Sequence, residues 1–189
     1  MNTEQMDQLS GFRIAPYIQI AAALIGKSRT GGGNMFRHQL DTMAILIDYK
    51  YIDSVLLKAS VIHDILEDIP DISHNYLLSI DFESHAVYSL VQEVSRRDGE
   101  SKPEFLTRIK ESGSLNAKIL KVADRISNMI SLGFVNNLDF VERYIDETEQ
   151  YLIPLAADVN RDMLIELTDL VKSRRKSLED IRNTGTGDS

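Results

Sequence analysis

Apolar residues recur at spacings of three and four along almost the whole chain, the pattern of helices that bury one face. The spacing predicts a first helix over Ser10–Leu24 that tolerates Pro16, ended by the glycines at 31 to 33. A second is expected over Met35–Tyr49, with Phe36, Leu40, Met43, Ala44 and Ile47 on one face. Asp53 is placed to cap a third, which runs to about Ile69 and stops at Pro70. Ser73–Leu78 and Glu83–Arg96 read as helices, and RRDGESKP as a polar loop. Pro103 opens a helix to about Glu111, since proline suits a first helical position. Longer helices follow over Leu115–Leu132, Leu138–Ala157 and Val159–Ile181. No stretch reads as a strand, repeat or linker. The pattern predicts one all-α domain over residues 1–182 and a flexible C-terminal tail over 183–189.

Composition narrows the function classes. A chain of 189 residues can bury one sizeable core. It contains no cysteine, which excludes a disulfide scaffold, thiolate metal ligands and a cysteine nucleophile. The polar, acidic start MNTEQMDQLS is not a signal peptide. The longest apolar stretch, Ile14 to Gly26, contains Gln19 and falls short of the roughly 20 residues of a membrane span. A cytoplasmic protein without a membrane partner is expected. A net charge of −8 argues against general nucleic-acid binding. It leaves room for an anionic small substrate, because a cation and a few local bases reverse the field inside a cleft.

The candidate chemistry lies in SVIHDILEDIP. On a continuous helix His63 would share a face with Glu67, and Asp64 with Asp68. Val61, Ile62, Ile65 and Leu66 cover the rest of that helix. Burying carboxylates against such a surface is costly unless they are paired or bind a cation. His38 in FRHQL and Asp124 in AKILKVADRISNMI sit in equally apolar helices. His38, His63, Asp64 and Asp124 make a mixed nitrogen and oxygen set that suits Mn²⁺, Fe²⁺ or Zn²⁺. Glu67 and Asp68 are candidates for acid–base work beside it. His74 and His85 lie in polar stretches where no buried carboxylate calls for a cation, and are expected at the surface.

These residues resemble the HD hydrolase domain of the Rel/SpoT alarmone enzymes, and especially the stand-alone small alarmone hydrolases. The resemblance runs from about Gly26 to Ala156 in four blocks. GKSRTGGGNMFRHQL is similar to the family's GQxRxxGEPYxxHPL, and LLKASVIHDILEDIPDIS to its HDxxED block. ILKVADRISNMISL resembles IKLADRxxNMRTL, and RYIDETEQYLIPLA resembles RIAxETLxIYAPLA. The resemblance implies an HD-type helical bundle that uses Mn²⁺ to remove the 3′-pyrophosphate of (p)ppGpp, a nucleotide substrate. It further implies that His38, His63, Asp64 and Asp124 bind the metal and that Glu67 and Asp68 align and activate the attacking water. Asn128 would approach the nucleotide sugar, Arg29 would pack on the base, and Arg96 and Lys121 would face phosphate. No synthetase or regulatory domain is expected to follow.

The departures fall on the base side. Thr30 stands where the family often has lysine, Gly32-Gly33-Asn34-Met35 replaces GEPY, and Gln39 replaces the proline after the metal histidine. An adenine alarmone, NADPH or a 5′-nucleotide is therefore the alternative substrate of an HD-type phosphohydrolase. Two other readings compete. AAALIGKS loosely fits a phosphate loop, but Ala21 to Ile25 is good helix sequence with no strand before it. A non-catalytic alarmone sensor would have little need for Glu67 and Asp68.

Overall fold

A computed structural model describes residues 2–185. Among these residues there is no strand, only an isolated antiparallel bridge between Ser28 and Asn34. The expected all-α architecture is present. The N-terminus departs from expectation. Asn2 and Gln5 form a reciprocal cap that starts α1 (Thr3–Ser10) inside the polar opening segment. α2 begins only at Ala15 and ends at Ala21, with Pro16 in its first turn. A proline there would break a helix spanning Ser10–Leu24, because it lacks an N–H and crowds the carbonyl four residues back. A short 3₁₀ turn, Ala22–Leu24, follows, so the first half of AAALIGKS is helical with no strand before it, and Ile25–Ser28 passes through a turn into the bridge with Asn34.

α3 (Met35–Asp48) is capped by Asn34, whose side chain accepts from the Arg37 N–H. Asp53 caps α4 as expected, but α4 ends at Ser60 (Ser54–Ser60) and α5 covers only Ile65–Asp68. Between them the chain turns with i to i+3 bonds from Ile62 to Ala59 and from Ile65 to Ile62. The Ser60 carbonyl, which a continuous helix would offer to the Asp64 N–H, accepts from His63 Nδ1 at 2.7 Å. His63 and Asp64 therefore sit in a helix break.

α6 (His74–Leu78) and α7 (Ser84–Val94) follow, then α8 (Lys102–Ser112), which opens on a reciprocal Ser101–Glu104 cap with Pro103 in the first turn. α9 (Leu115–Ser131) is the axis of the molecule. It packs against α3 and α7 and against the last two helices, α11 (Ile153–Val159) and α12 (Arg161–Gly185). Residues on every side of α9 are buried, as expected of a central helix. α10 (Leu138–Glu147) passes into a π-helical turn, Thr148–Leu152, before α11. Pro154 at the start of α11 has no N–H to continue a regular helix, so the expected single helix over Leu138–Ala157 is divided. α12 runs on to Gly185, and the remainder of the expected tail, 186–189, lies outside the described residues. No helix among the described residues is long and apolar enough to cross a membrane.

The loop after α7 is held by Arg108. Its guanidinium contacts Glu100 at 2.7 and 3.0 Å and donates to the carbonyls of Glu93 and Ser95 at 2.9 and 3.0 Å. The bonds from Arg108 hold the Glu100 carboxyl down to about 2, below the roughly 4.3 of an unfolded chain. A lowered folded-state value contributes stability that is present above the unfolded value and is lost as pH falls toward the folded one. Glu100→Gln is expected to cost about 1–2 kcal/mol at neutral pH. Its urea midpoint should converge on the unsubstituted protein's between roughly pH 4.3 and pH 2. Parallel midpoints across that window would show that the pair contributes nothing.

Candidate metal centre and its pocket

Two helices and the α4–α5 break deliver the expected ligand set to one point. His38 comes from the first turns of α3, His63 and Asp64 from the break, and Asp124 from the middle of α9. The ligand atoms of His38, His63 and Asp124 lie within 4.8 Å of one another, all buried. Asp124 Oδ1 is 3.1 Å from His38 Nε2 and 3.7 Å from His63 Nε2. Asp64 Oδ2 is 3.2 Å from His63 Nε2 and 3.5 Å from His38 Nε2. The two imidazoles meet edge to face at 5.0 Å.

Each ring is fixed from behind. His63 Nδ1 donates to the Ser60 carbonyl, and His38 Nδ1 lies 2.8 Å from Ser127 Oγ. Both rings thus present Nε2 inward, and His63 Nε2 is buried with no hydrogen-bond partner. A ring nitrogen without a partner among carboxylates, in a mixed nitrogen and oxygen set, fits a divalent cation. The same carboxylates draw a proton to that nitrogen when no cation is there. Burial opposes charge on His63, yet Asp64 and Asp124 outweigh it and push its pKa up to about 10. Burial pushes His38 the other way, below its ordinary value. Burial also acts against ionised Asp124, but Lys121 and the two imidazoles hold it well below the usual carboxylate range.

A second layer of bonds surrounds these groups. Gln39 Nε2 donates to Asp64 Oδ2 at 2.9 Å, and Lys121 Nζ to Asp124 Oδ2 at 2.8 Å. Asn128 Nδ2 donates to Asp124 Oδ1 at 2.5 Å, and Arg29 donates in turn to Asn128 Oδ1. Arg29 is carried on a loop that lies against the end of α9. There Gly32 takes φ +82°, and a Cβ would stand 3.0 Å from the Ser131 carbonyl.

Above this centre opens a cavity of about 520 Å³. The acidic pair reaches its rim from α5. Glu67 is exposed and accepts from the Arg96 N–H at 2.9 Å. Asp68 is half-buried, and burial together with the nearby Asp64 raises its carboxyl above the ordinary value. Lys27, on the apparent phosphate-loop segment, donates to the Asp68 carbonyl. Arg29, Thr30, Arg96, Lys121 and Asn128 all face the cavity. His74 and His85 are exposed, and His74 pairs with Tyr88 at 3.0 Å.

Sequence reasoning passed over one wall. Arg125 is 2% exposed, donates to Thr148 Oγ1 at 3.0 Å and to Glu147 Oε1 at 2.5 Å, and lies 4.1 Å from the centre of the Tyr144 ring. Lys102 pairs with the same glutamate at 3.1 Å. Phe140, stacked on Tyr144 at 5.6 Å, completes this side of the cavity. A cation inside an otherwise apolar helix was the available signal for Arg125. Nothing in the pattern separates Phe140 and Tyr144 from core residues.

No family model matches the chain. A curated relative from Mycoplasma genitalium, named probable guanosine-3′,5′-bis(diphosphate) 3′-pyrophosphohydrolase, is 28% identical over 124 residues, which cover 58% of this chain. The chain spans 17% of that relative's length. Among solved structures, a metazoan ortholog of SpoT that hydrolyzes ppGpp and plays a role in starvation responses superposes with a TM-score of 0.72. The match covers 85% of this chain and 94% of the other at 20% identity. The two share one helical fold. In this SpoT-like fold the central helix, α3 and the α4–α5 break surround the His-His-Asp cluster.

Proposed function

We propose that this chain is a metal-dependent phosphohydrolase that removes the 3′-pyrophosphate of guanosine 3′,5′-bis(diphosphate) and related alarmones. The observation that carries the reading is the stranded Nε2 of His63, buried among His38, Asp64 and Asp124 beside the Glu67–Asp68 pair. The activity in the name of the Mycoplasma relative, and the ppGpp hydrolysis stated for the SpoT ortholog, support the choice of substrate. The cavity volume lies within the range of nucleotide-sized sites.

A divalent cation held by His38, His63, Asp64 and Asp124, Mn²⁺ in this reading, supplies Lewis-acid polarisation of a phosphoryl oxygen. The chain's own residues do the rest. Glu67 accepts a proton from the attacking water as its oxygen bonds to the 3′-linked phosphorus. The bond from phosphorus to the 3′ oxygen breaks, and Asp68, at the rim of the cavity, returns a proton to that oxygen. The products are GDP or GTP and pyrophosphate. Lys121, Arg96, Lys102 and Arg125, which line the cavity, offset the phosphate charge, which an acidic chain must do locally. Arg29 and Asn128 hold the nucleoside half, with the planar guanidinium placed to stack on a purine.

One observation favours a second substrate. Thr30, without a cationic side chain, lines the cavity next to Arg29. An adenine alarmone or NADPH is the alternative it admits. The deciding assay offers Mn²⁺-loaded protein ppGpp, ppApp, NADPH and a panel of 5′-nucleotides and identifies the products. GDP and pyrophosphate from ppGpp are expected. Orthophosphate from 5′-monophosphates, with ppGpp untouched, would sink the reading. Thr30→Lys is expected to shift the guanine-to-adenine ratio of kcat/KM by about threefold to tenfold, the worth of one net polar contact, at similar kcat. An unchanged ratio would show that position 30 does not read the base.

A further inference from the structure

We infer that Gln39 is a positioning residue that sets the cation affinity of the site through Asp64, an inference that rests on the metal-centre reading above. Gln39 is fully buried on α3, immediately after His38. Its Nε2 donates at 2.9 Å to Asp64 Oδ2, the oxygen that faces both inward nitrogens at 3.2 and 3.5 Å. The amide and the two imidazoles therefore share that one oxygen.

The opposite end of the amide shows what the residue is for. Gln39 Oε1 is buried with no hydrogen-bond partner. A side chain kept for core stability alone would not strand an acceptor there, since an apolar chain of the same size strands nothing. Turning the amide over would set Oε1 against the carboxylate of Asp64, so the demand of Asp64 decides its orientation. Asp64 is also the ligand that most needs an anchor. Its side chain is 23% exposed, against 1% to 6% for His38, His63 and Asp124, and it sits in the helix break rather than on a regular turn. Groups that bond to ligands from outside orient them and tune their hold on the metal.

The test uses the full chain and Mn²⁺ alone, without nucleotide. Unsubstituted protein, Gln39→Leu and Asp124→Asn are stripped of metal, melted, and titrated with Mn²⁺ by calorimetry. Gln39→Leu is expected to melt at or above the unsubstituted apo protein while its Mn²⁺ Kd weakens by about 10- to 100-fold. Gln39→Met, unbranched and of the same length, gives the same reading if leucine fails to pack. A lowered apo Tm with unchanged Mn²⁺ affinity in the substituted protein would make Gln39 a core residue only and overturn the inference, leaving the metal centre intact. Unsubstituted protein that binds no Mn²⁺ would remove the metal-centre reading, and this inference with it.

Discussion

Asp124→Asn should abolish cation binding and lower turnover by at least about 10³-fold, the scale expected when Lewis-acid assistance is lost. Asp124 is the hub of the site. Its two oxygens meet His38, His63, Lys121 and Asn128, and it is 4% exposed. The amide preserves shape and removes the charge. Saturating Mn²⁺ at about a hundred times Kd should raise the Tm of the unsubstituted protein by about 5–10 °C, which follows from roughly 2.7 kcal/mol of linkage in a chain of this size. The Asn variant should show no such rise. Asp124→Ala also leaves the largely buried Lys121 ammonium without its carboxylate, and is expected to cost a further 3–5 kcal/mol or so even without cation. An Asn variant whose melting still rises with Mn²⁺ would exclude Asp124 as a ligand.

The second large effect separates binding from chemistry. Glu67→Gln should reduce kcat by about 10²- to 10⁴-fold, the usual contribution of a positioned base, while Mn²⁺ affinity stays within a factor of about two. The substitution is chosen for the Arg96 N–H, which bonds to Glu67 Oε1 at 2.9 Å. A glutamine oxygen can still accept that bond but cannot take a proton from water. The loop that carries Arg96 should therefore stay in place, and apo stability should barely move because Glu67 is exposed. Glu67→Ala loses both functions, so a larger fall in kcat/KM for alanine than for glutamine measures the share owed to loop placement. Full activity in Glu67→Gln would remove the acid–base assignment and leave the metal centre untouched.

What the amino-acid pattern reveals and what it hides both have physical causes. A carboxylate at position 124 inside a helix of isoleucine, leucine and alanine is legible because burial without a partner is costly, and the structure brings it to His38 and His63. The break that holds His63 and Asp64 is not legible. Val61-Ile62-His63-Asp64 contains neither glycine nor proline, and the carbonyl that helix formation would use is claimed by a side-chain imidazole. The face-sharing expected of His63 with Glu67 and Asp64 with Asp68 presumes a continuous helix that does not exist. α1 escapes notice because its start rests on a reciprocal polar cap rather than on an apolar stripe. The aromatic part of the wall, Phe140 and Tyr144, is hidden because pocket aromatics at helical spacing look like core, whereas Arg125 could be noticed as a cation among apolar residues. Lys121 and Asn128, read as substrate contacts, already bond to Asp124, so in the free protein they brace the centre they also line.

The basic run Lys172 to Lys176 on α12 carries a consequence for where the molecule can be shortened. Arg174 donates to the last carbonyls of α9, those of Met129 and Ile130, at 2.9 Å each, and its guanidinium lies 3.0 Å from where a Cβ on Gly133 would stand. The final helix is thus the keystone of the axis that bears Asp124, not an appendage. A fragment cut before residue 174 would leave those carbonyls uncapped, and the smallest piece able to keep its cation cradle must reach beyond that arginine.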